Sequence, residues 1–102
     1  MHLAIETHRA EIEGLCRAFA VTRLELYGSA ARGDDFDIER SDADFLVEFG
    51  PTDTPPFQRF FGFRAALAEV LGRPVDLTSI GAVRNPHLKT AIDRDRTHVF
   101  AA

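Results

Sequence analysis

The sequence has little cysteine, no excess of basic residues and no long hydrophobic run. Its one cysteine, Cys16, cannot form an internal disulfide and is typical of a reducing cytosol. A net charge of −4 argues against sequence-independent binding of long nucleic acid, which needs a basic surface. No run approaches the roughly 18 apolar residues of a membrane span, and the N-terminus lacks a signal-peptide pattern. The four histidines do not show zinc-binding spacing.

The composition is instead that of one cytoplasmic globular domain over residues 1–102. Helical periodicity and helix start signals predict helices over residues 4–20, 29–32, 57–71 and 85–93. Strand-like runs cover residues 22–27, 43–49, 75–78 and 97–100. This alternation predicts an α/β or α+β fold in which helices pack on a sheet. The phenylalanines of segment 57–63 have the spacing of a core stripe, with a partner-contact surface as the alternative.

Three aspartates interrupt the apolar strands. Asp42 and Asp44 lie two positions apart, so their side chains point to the same face of the second strand. Asp76 lies between Val75 and Leu77 and points away from both. If the two strands belong to one sheet whose apolar faces share a core, all three carboxylates project to the other side.

Unpaired charge is costly in such strands, and a hard divalent cation held by oxygen ligands is the usual compensation. Two such ions about 3.5–4 Å apart neutralise phosphate oxygens and activate an attacking oxygen. We expect Asp42 and Asp44 to bind both Mg²⁺ ions, and Asp76 to complete the second site and assist the incoming hydroxyl. An Asp-x-Asp pair alone is more often a solvated turn, so the prediction depends on the combination.

A glycine–serine pair follows the first predicted strand. Gly28 would let the backbone approach a triphosphate, and Ser29 would donate a hydrogen bond where a short helix begins. Arg32, one helical turn further on, is within reach of a phosphate. Each of these residues alone is common at protein surfaces. Together with the three acids they predict a metal-dependent nucleotide site.

These motifs resemble the minimal nucleotidyltransferases of the DNA polymerase beta superfamily. The resemblance is carried by residues 27–33 (YGSAARG), 41–49 (SDADFLVEF) and 71–77 (LGRPVDL). It implies a nucleotidyltransferase fold with a mixed sheet of three to four strands flanked by helices, and a site for ATP and two Mg²⁺ ions. It also implies that the metal ligands are Asp42, Asp44 and Asp76. The residues that bind the nucleotide would be Gly28, Ser29 and Arg32.

One segment departs from the family pattern. Twelve residues, Ala30 to Ser41, separate the glycine–serine pair from the first aspartate, and family members usually have fewer. The extra length falls in the acidic loop 33–41. Since loops tolerate insertions, the departure bears on nucleotide access and substrate choice rather than on the fold.

Family members of this size are best known as antitoxins that inactivate HEPN-domain toxins by transferring AMP to a tyrosine. The resemblance therefore implies an ATP-dependent protein adenylyltransferase and a hetero-oligomer with a HEPN toxin. Two alternatives stay open. The chain could neutralise its partner by steric contact alone, or it could modify a small molecule such as an antibiotic. The lack of a separate acceptor domain in the sequence counts against the small-molecule alternative.

Overall fold

The computed structural model describes residues 3–28, 43–82, 86, 89–90, 93 and 96–102. The helices are α1 (Leu3–Glu6), α2 (Arg9–Ala18) and α3 (Pro56–Leu71), followed later by a 3₁₀ turn, Ile80–Ala82. The strands are β1 (Val21–Tyr27), β2 (Ala43–Phe49), β3 (Val75–Ser79) and β4 (Thr97–Ala101). Within these ranges, no helix is both long and apolar enough to cross a membrane.

The four strands form one mixed sheet in the order β3-β2-β1-β4. β1 pairs antiparallel with both β2 and β4, whereas β2 and β3 run parallel. The parallel pair is joined through α3, as a crossover between parallel strands requires. The predicted α/β class and the mixed sheet flanked by helices are both confirmed.

Most of the core lies between one face of this sheet and the helices α2 and α3. Helix α2 contributes Ile12 and Cys16, and α3 contributes Phe63, Leu67 and Leu71. The sheet presents a matching set of apolar side chains: Leu24, Leu26, Ala43, Phe45, Val47, Leu77 and Val99. Because strand side chains alternate, the residues between these positions point to the opposite face of the sheet.

One predicted helix differs in detail from the structure. The helix expected over residues 4–20 is divided into α1 and α2 at Thr7 and His8. The Thr7 hydroxyl donates a hydrogen bond to the Leu3 carbonyl (2.8 Å) beside the regular bond from the Thr7 N–H (2.9 Å). The His8 N–H then donates to the Ile5 carbonyl, only three residues earlier (3.0 Å). In the helix expected over residues 85–93, the described residues 86, 89, 90 and 93 are helical. The predicted helix 29–32 lies outside the described residues.

The phenylalanine cluster on α3 is split between the core and the surface. Phe63 is fully buried, and Phe60 packs against the core from a partly buried position. Phe57 and Phe61 are 76% and 38% exposed, with their ring centroids 4.5 Å apart. The core prediction is therefore right for two of the four rings and wrong for the other two, which lie on the outer side of the helix.

Cys16 is fully buried in the core. Burial, with a smaller contribution from Glu13, raises the pKa of the Cys16 thiol from 9.0 to about 12, and Arg17 opposes this shift. The thiolate is the reactive form, so the folded protein should react with a thiol reagent at pH 8 far more slowly than the denatured chain. Absorbance assays with an aromatic disulfide reagent, with and without guanidinium, measure the difference. Equal rates in the two conditions would show that Cys16 is accessible in the folded state.

Candidate active site

The sheet face opposite α2 and α3 carries a row of three polar side chains from three adjacent strands. Tyr27 of β1 is the cross-strand partner of Asp44 of β2, and Asp44 is the partner of Asp76 of β3. Partners in register point to the same face. The structure thus brings Asp44 and Asp76 together on neighbouring strands, which are about 4.8 Å apart in any sheet.

Gly28 lies directly against the Asp44 carboxylate. Its φ angle of +74° is in the left-handed region that favours glycine. A Cβ atom added at this position would lie 2.9 Å from Asp44 Oδ2, closer than ordinary packing allows. The turn that ends β1 therefore approaches the acid row closely, and it can do so because residue 28 has no side chain.

The other predicted site residues, Ser29, Arg32 and Asp42, lie outside the described residues, as does the loop 33–41. In the part of the chain that the structure describes, no group of three or more His, Cys, Asp or Glu side chains is placed to hold a metal ion. Of the three predicted ligands, Asp44 and Asp76 are among the described residues and Asp42 is not. Their roles stay predictions.

Asp44 and Asp76 fit a divalent cation in their chemistry and placement. Both supply carboxylate oxygens, the donors that Mg²⁺ prefers, and they belong to adjacent strands in register. Asp44 is half-buried and Asp76 is exposed, so an ion between them would have one side toward solvent. Like charges this close repel each other, and a bound cation relieves that repulsion.

In the next row of the same face, the one acidic side chain is already paired with arginines. It consists of Glu25, Leu46 and Thr78, in register across β1, β2 and β3. The buried Glu25 carboxylate accepts two hydrogen bonds from Arg96, one of them from Nη2 at 2.7 Å. Arg23 Nε is 3.2 Å from the same carboxylate. Two guanidinium groups therefore neutralise Glu25, and the hydrogen bond from Arg96 to Glu25 raises the pKa of Arg96 further.

Tyr27 is a site residue that sequence reasoning missed. Its side chain is only 9% exposed and packs with Leu46 and the partly buried Ile80. Burial raises the pKa of the phenol, a side-chain hydrogen bond with Thr78 opposes this, and the charges of Asp44 and Asp76 raise it further. The phenol is therefore neutral at physiological pH. Its position immediately before the glycine–serine pair was the available signal.

The nucleotidyltransferase domain family matches residues 9–97 of the chain. A Methanocaldococcus jannaschii protein, MJ0128, provisionally named a protein adenylyltransferase, is 38% identical over 81 residues, which is 79% of this chain and 79% of that protein. The family match over residues 9–97 includes all three motif segments, 27–33, 41–49 and 71–77.

Two solved structures have the same fold. One, provisionally identified as a minimal nucleotidyltransferase, has a TM-score of 0.73 and 28% identity and covers 95% of each chain. The other is a complex of a tri-AMPylated Shewanella oneidensis HEPN toxin with an MNT antitoxin. It has a TM-score of 0.65 and 17% identity, over 95% of this chain and 72% of that one. The fold, the acid row beside Gly28 and the family match agree, and the chain belongs to the nucleotidyltransferase domain family.

Proposed function

We propose that this nucleotidyltransferase transfers AMP from ATP to a tyrosine hydroxyl of a HEPN-domain toxin and so acts as its antitoxin. The observation that carries the proposal is the in-register pair Asp44 and Asp76 beside Gly28. Support for a protein acceptor comes from the similarity to MJ0128. Support for a HEPN partner comes from the shared fold with the MNT antitoxin.

The proposed site has an acidic part and a phosphate-binding part. Asp42, Asp44 and Asp76 would hold two Mg²⁺ ions, which supply charge neutralisation on the phosphate oxygens when bound. The left-handed backbone of Gly28 would admit the triphosphate close to the acid row. Ser29 and Arg32 would bind phosphate oxygens through a hydroxyl and a guanidinium group.

The acceptor hydroxyl would enter at the acid row from the face opposite α2 and α3. Asp76, the exposed member of the pair, is the carboxylate best placed to orient the hydroxyl and receive its proton. The phenol of Tyr27 is too buried to serve as the acceptor itself. We therefore propose that the acceptor tyrosine belongs to a partner chain in a hetero-oligomer. We also propose that the reaction takes place in the cytoplasm.

Mass spectrometry of the partner tests this proposal. A HEPN-domain toxin is incubated with the protein, ATP and Mg²⁺. We expect the toxin to gain the mass of one or more AMP groups on tyrosine, and to gain none when Mg²⁺ is chelated. An unmodified toxin whose activity is nevertheless neutralised at equal concentration would favour steric binding. AMP transfer to an antibiotic but not to protein would favour a small-molecule acceptor.

A further inference from the structure

Helix α3 carries a second stripe of side chains, apart from the one that it buries in the core. The core stripe contains Phe63, Leu67 and Leu71. The members of the second stripe are spaced by three or four residues or adjoin one another, so they lie together on one side of the helix. This outer stripe consists of Phe57, Phe61, Arg64, Ala65 and Ala68.

The aromatic end of the outer stripe is open to solvent. Phe57 and Phe61 are two of the three large apolar side chains that are exposed in the described part of the chain, and Leu3 is the third. The Phe61 ring also lies 5.2 Å from that of Phe60, which packs against the core. The two exposed rings therefore rest on the packed side of the helix. Contiguous exposed apolar side chains of this kind mark interaction sites.

The other end of the outer stripe adjoins a groove beside β3. The groove has a volume of about 320 Å³ and is lined by Arg64, Ala65, Ala68, Pro74 and Val75. Val75 directly precedes Asp76, whose side chain points to the opposite face of the sheet. Because β3 is at the edge of the described sheet, a protein that covers the groove can extend round that edge to the acid row.

Arg64 gives this surface a charge that selects its partner. The side chain is exposed, and its guanidinium lies 4.7 Å from the centre of the Phe61 ring. A guanidinium over a ring can still donate hydrogen bonds to a carboxylate in its own plane. In a two-fold dimer centred on the outer stripe, Arg64 would lie close to its own copy and be repelled by it. The charge therefore favours a different protein, with a carboxylate opposite Arg64, over a second copy of this chain.

We propose that the outer stripe of α3 and the adjoining groove are the docking surface for the protein that receives AMP. The matching surface of that protein is apolar, with a side chain that enters the groove and a carboxylate that pairs with Arg64. Docked in this way, it reaches round the edge of β3 and brings its acceptor hydroxyl to Asp76. This docking rests on the proposed function, which makes the partner the acceptor of AMP.

Substitutions on the outer stripe test the docking. Aromatic and arginine side chains commonly supply most of the affinity of an interface, so Phe57→Ser, Phe61→Ser and Arg64→Glu should each weaken binding of a HEPN-domain toxin by about 10-fold or more. Isothermal titration calorimetry without ATP measures this affinity. The KM for the toxin in AMP transfer should rise in parallel. The kcat at saturating toxin and the affinity for ATP with Mn²⁺ should stay unchanged, because the stripe is outside the proposed catalytic site.

Two matched variants control for the loss of an exposed side chain. Leu3→Ser removes the exposed apolar side chain of α1. Arg17→Glu reverses the charge of an exposed arginine on α2 that lies over the Phe100 ring, 5.8 Å from its centre. Both variants should bind the toxin as the parent does. Thermal unfolding of every variant checks that the fold is retained.

Unchanged toxin affinity in the three stripe variants would overturn the docking surface, and AMP transfer by the parent would still support the proposed function. Equal losses of affinity in the two control variants would also overturn it. A dimer of the parent alone in sedimentation, dissociated by Phe61→Ser, would assign the stripe to a second copy instead. Weaker toxin binding by the stripe variants of a protein that transfers no AMP would support the docking surface and refute only the proposed transfer.

Discussion

Asp44→Asn is expected to lower the rate of AMP transfer by at least about 100-fold, the effect of removing one preorganised electrostatic group from an active site. The amide has nearly the same shape as the carboxylate but lacks the charge that would hold a cation. Asp44 belongs to the row outside the main core, and its charge is close to that of Asp76. The variant should therefore fold normally. Transfer assays and thermal unfolding measure the two effects.

Matched variants decide whether the charge itself matters. Asp42→Asn and Asp76→Asn should reproduce the loss of transfer. Asp53→Asn changes an exposed aspartate in the segment between β2 and α3 and should leave transfer unaltered. Loss of the native circular dichroism spectrum in Asp44→Asn would mean that Asp44 is structural. Full toxin neutralisation by the same variant, without AMP transfer, would favour the steric mechanism.

Gly28→Ala should disable the site with only a modest loss of stability. The new Cβ would lie 2.9 Å from Asp44 Oδ2, and the carboxylate, as the end of a side chain, would move to relieve the contact. A non-glycine residue at a positive φ angle costs on the order of 1 kcal/mol in the free energy of unfolding. The substitution would displace Asp44 and the backbone at Gly28, where the triphosphate is proposed to bind. AMP transfer should fall by about 100-fold, since small misplacements at a reacting centre have effects of that size.

Gly72→Ala provides the control. Gly72 ends α3 with a φ angle of +67°, close to that of Gly28, and nothing lies within 4 Å of a Cβ atom added there. The two variants should lose similar stability in chemical denaturation, whereas only Gly28→Ala should lose transfer activity. Equal transfer rates in the two variants would show that the contact between Gly28 and Asp44 has no functional role.

Local periodicity was sufficient to predict several features of the site. Alternation within each strand places Asp44 opposite Phe45 and Asp76 opposite Leu77, because successive strand side chains point to opposite faces. The buried phenylalanine and leucine then decide which face is the core. The end of α3 was also predictable, since Gly72 supplies the left-handed cap. These inferences need only neighbouring residues along the chain.

The split of the first helix shows where local patterns lose detail. Apolar residues recur at helical spacing through both α1 and α2, so periodicity alone favours one helix. At the break, the His8 N–H donates a hydrogen bond to the Ile5 carbonyl, three residues earlier instead of four. Such bonds are small in free energy, and the residue pattern does not show which conformation wins.

The sequence by itself therefore determined the order of the described strands and helices, the face on which Asp44 and Asp76 lie, and the family motifs around Gly28. The tertiary structure decided that Asp44 and Asp76 are in register, that Tyr27 packs with Leu46 of β2, and that Arg96 pairs with Glu25, 71 positions away. Periodicity specifies the direction of a side chain but not the partner strand or its offset. Those follow from packing the whole sheet against α2 and α3, because a one-residue shift in register would exchange the buried and exposed faces of a strand.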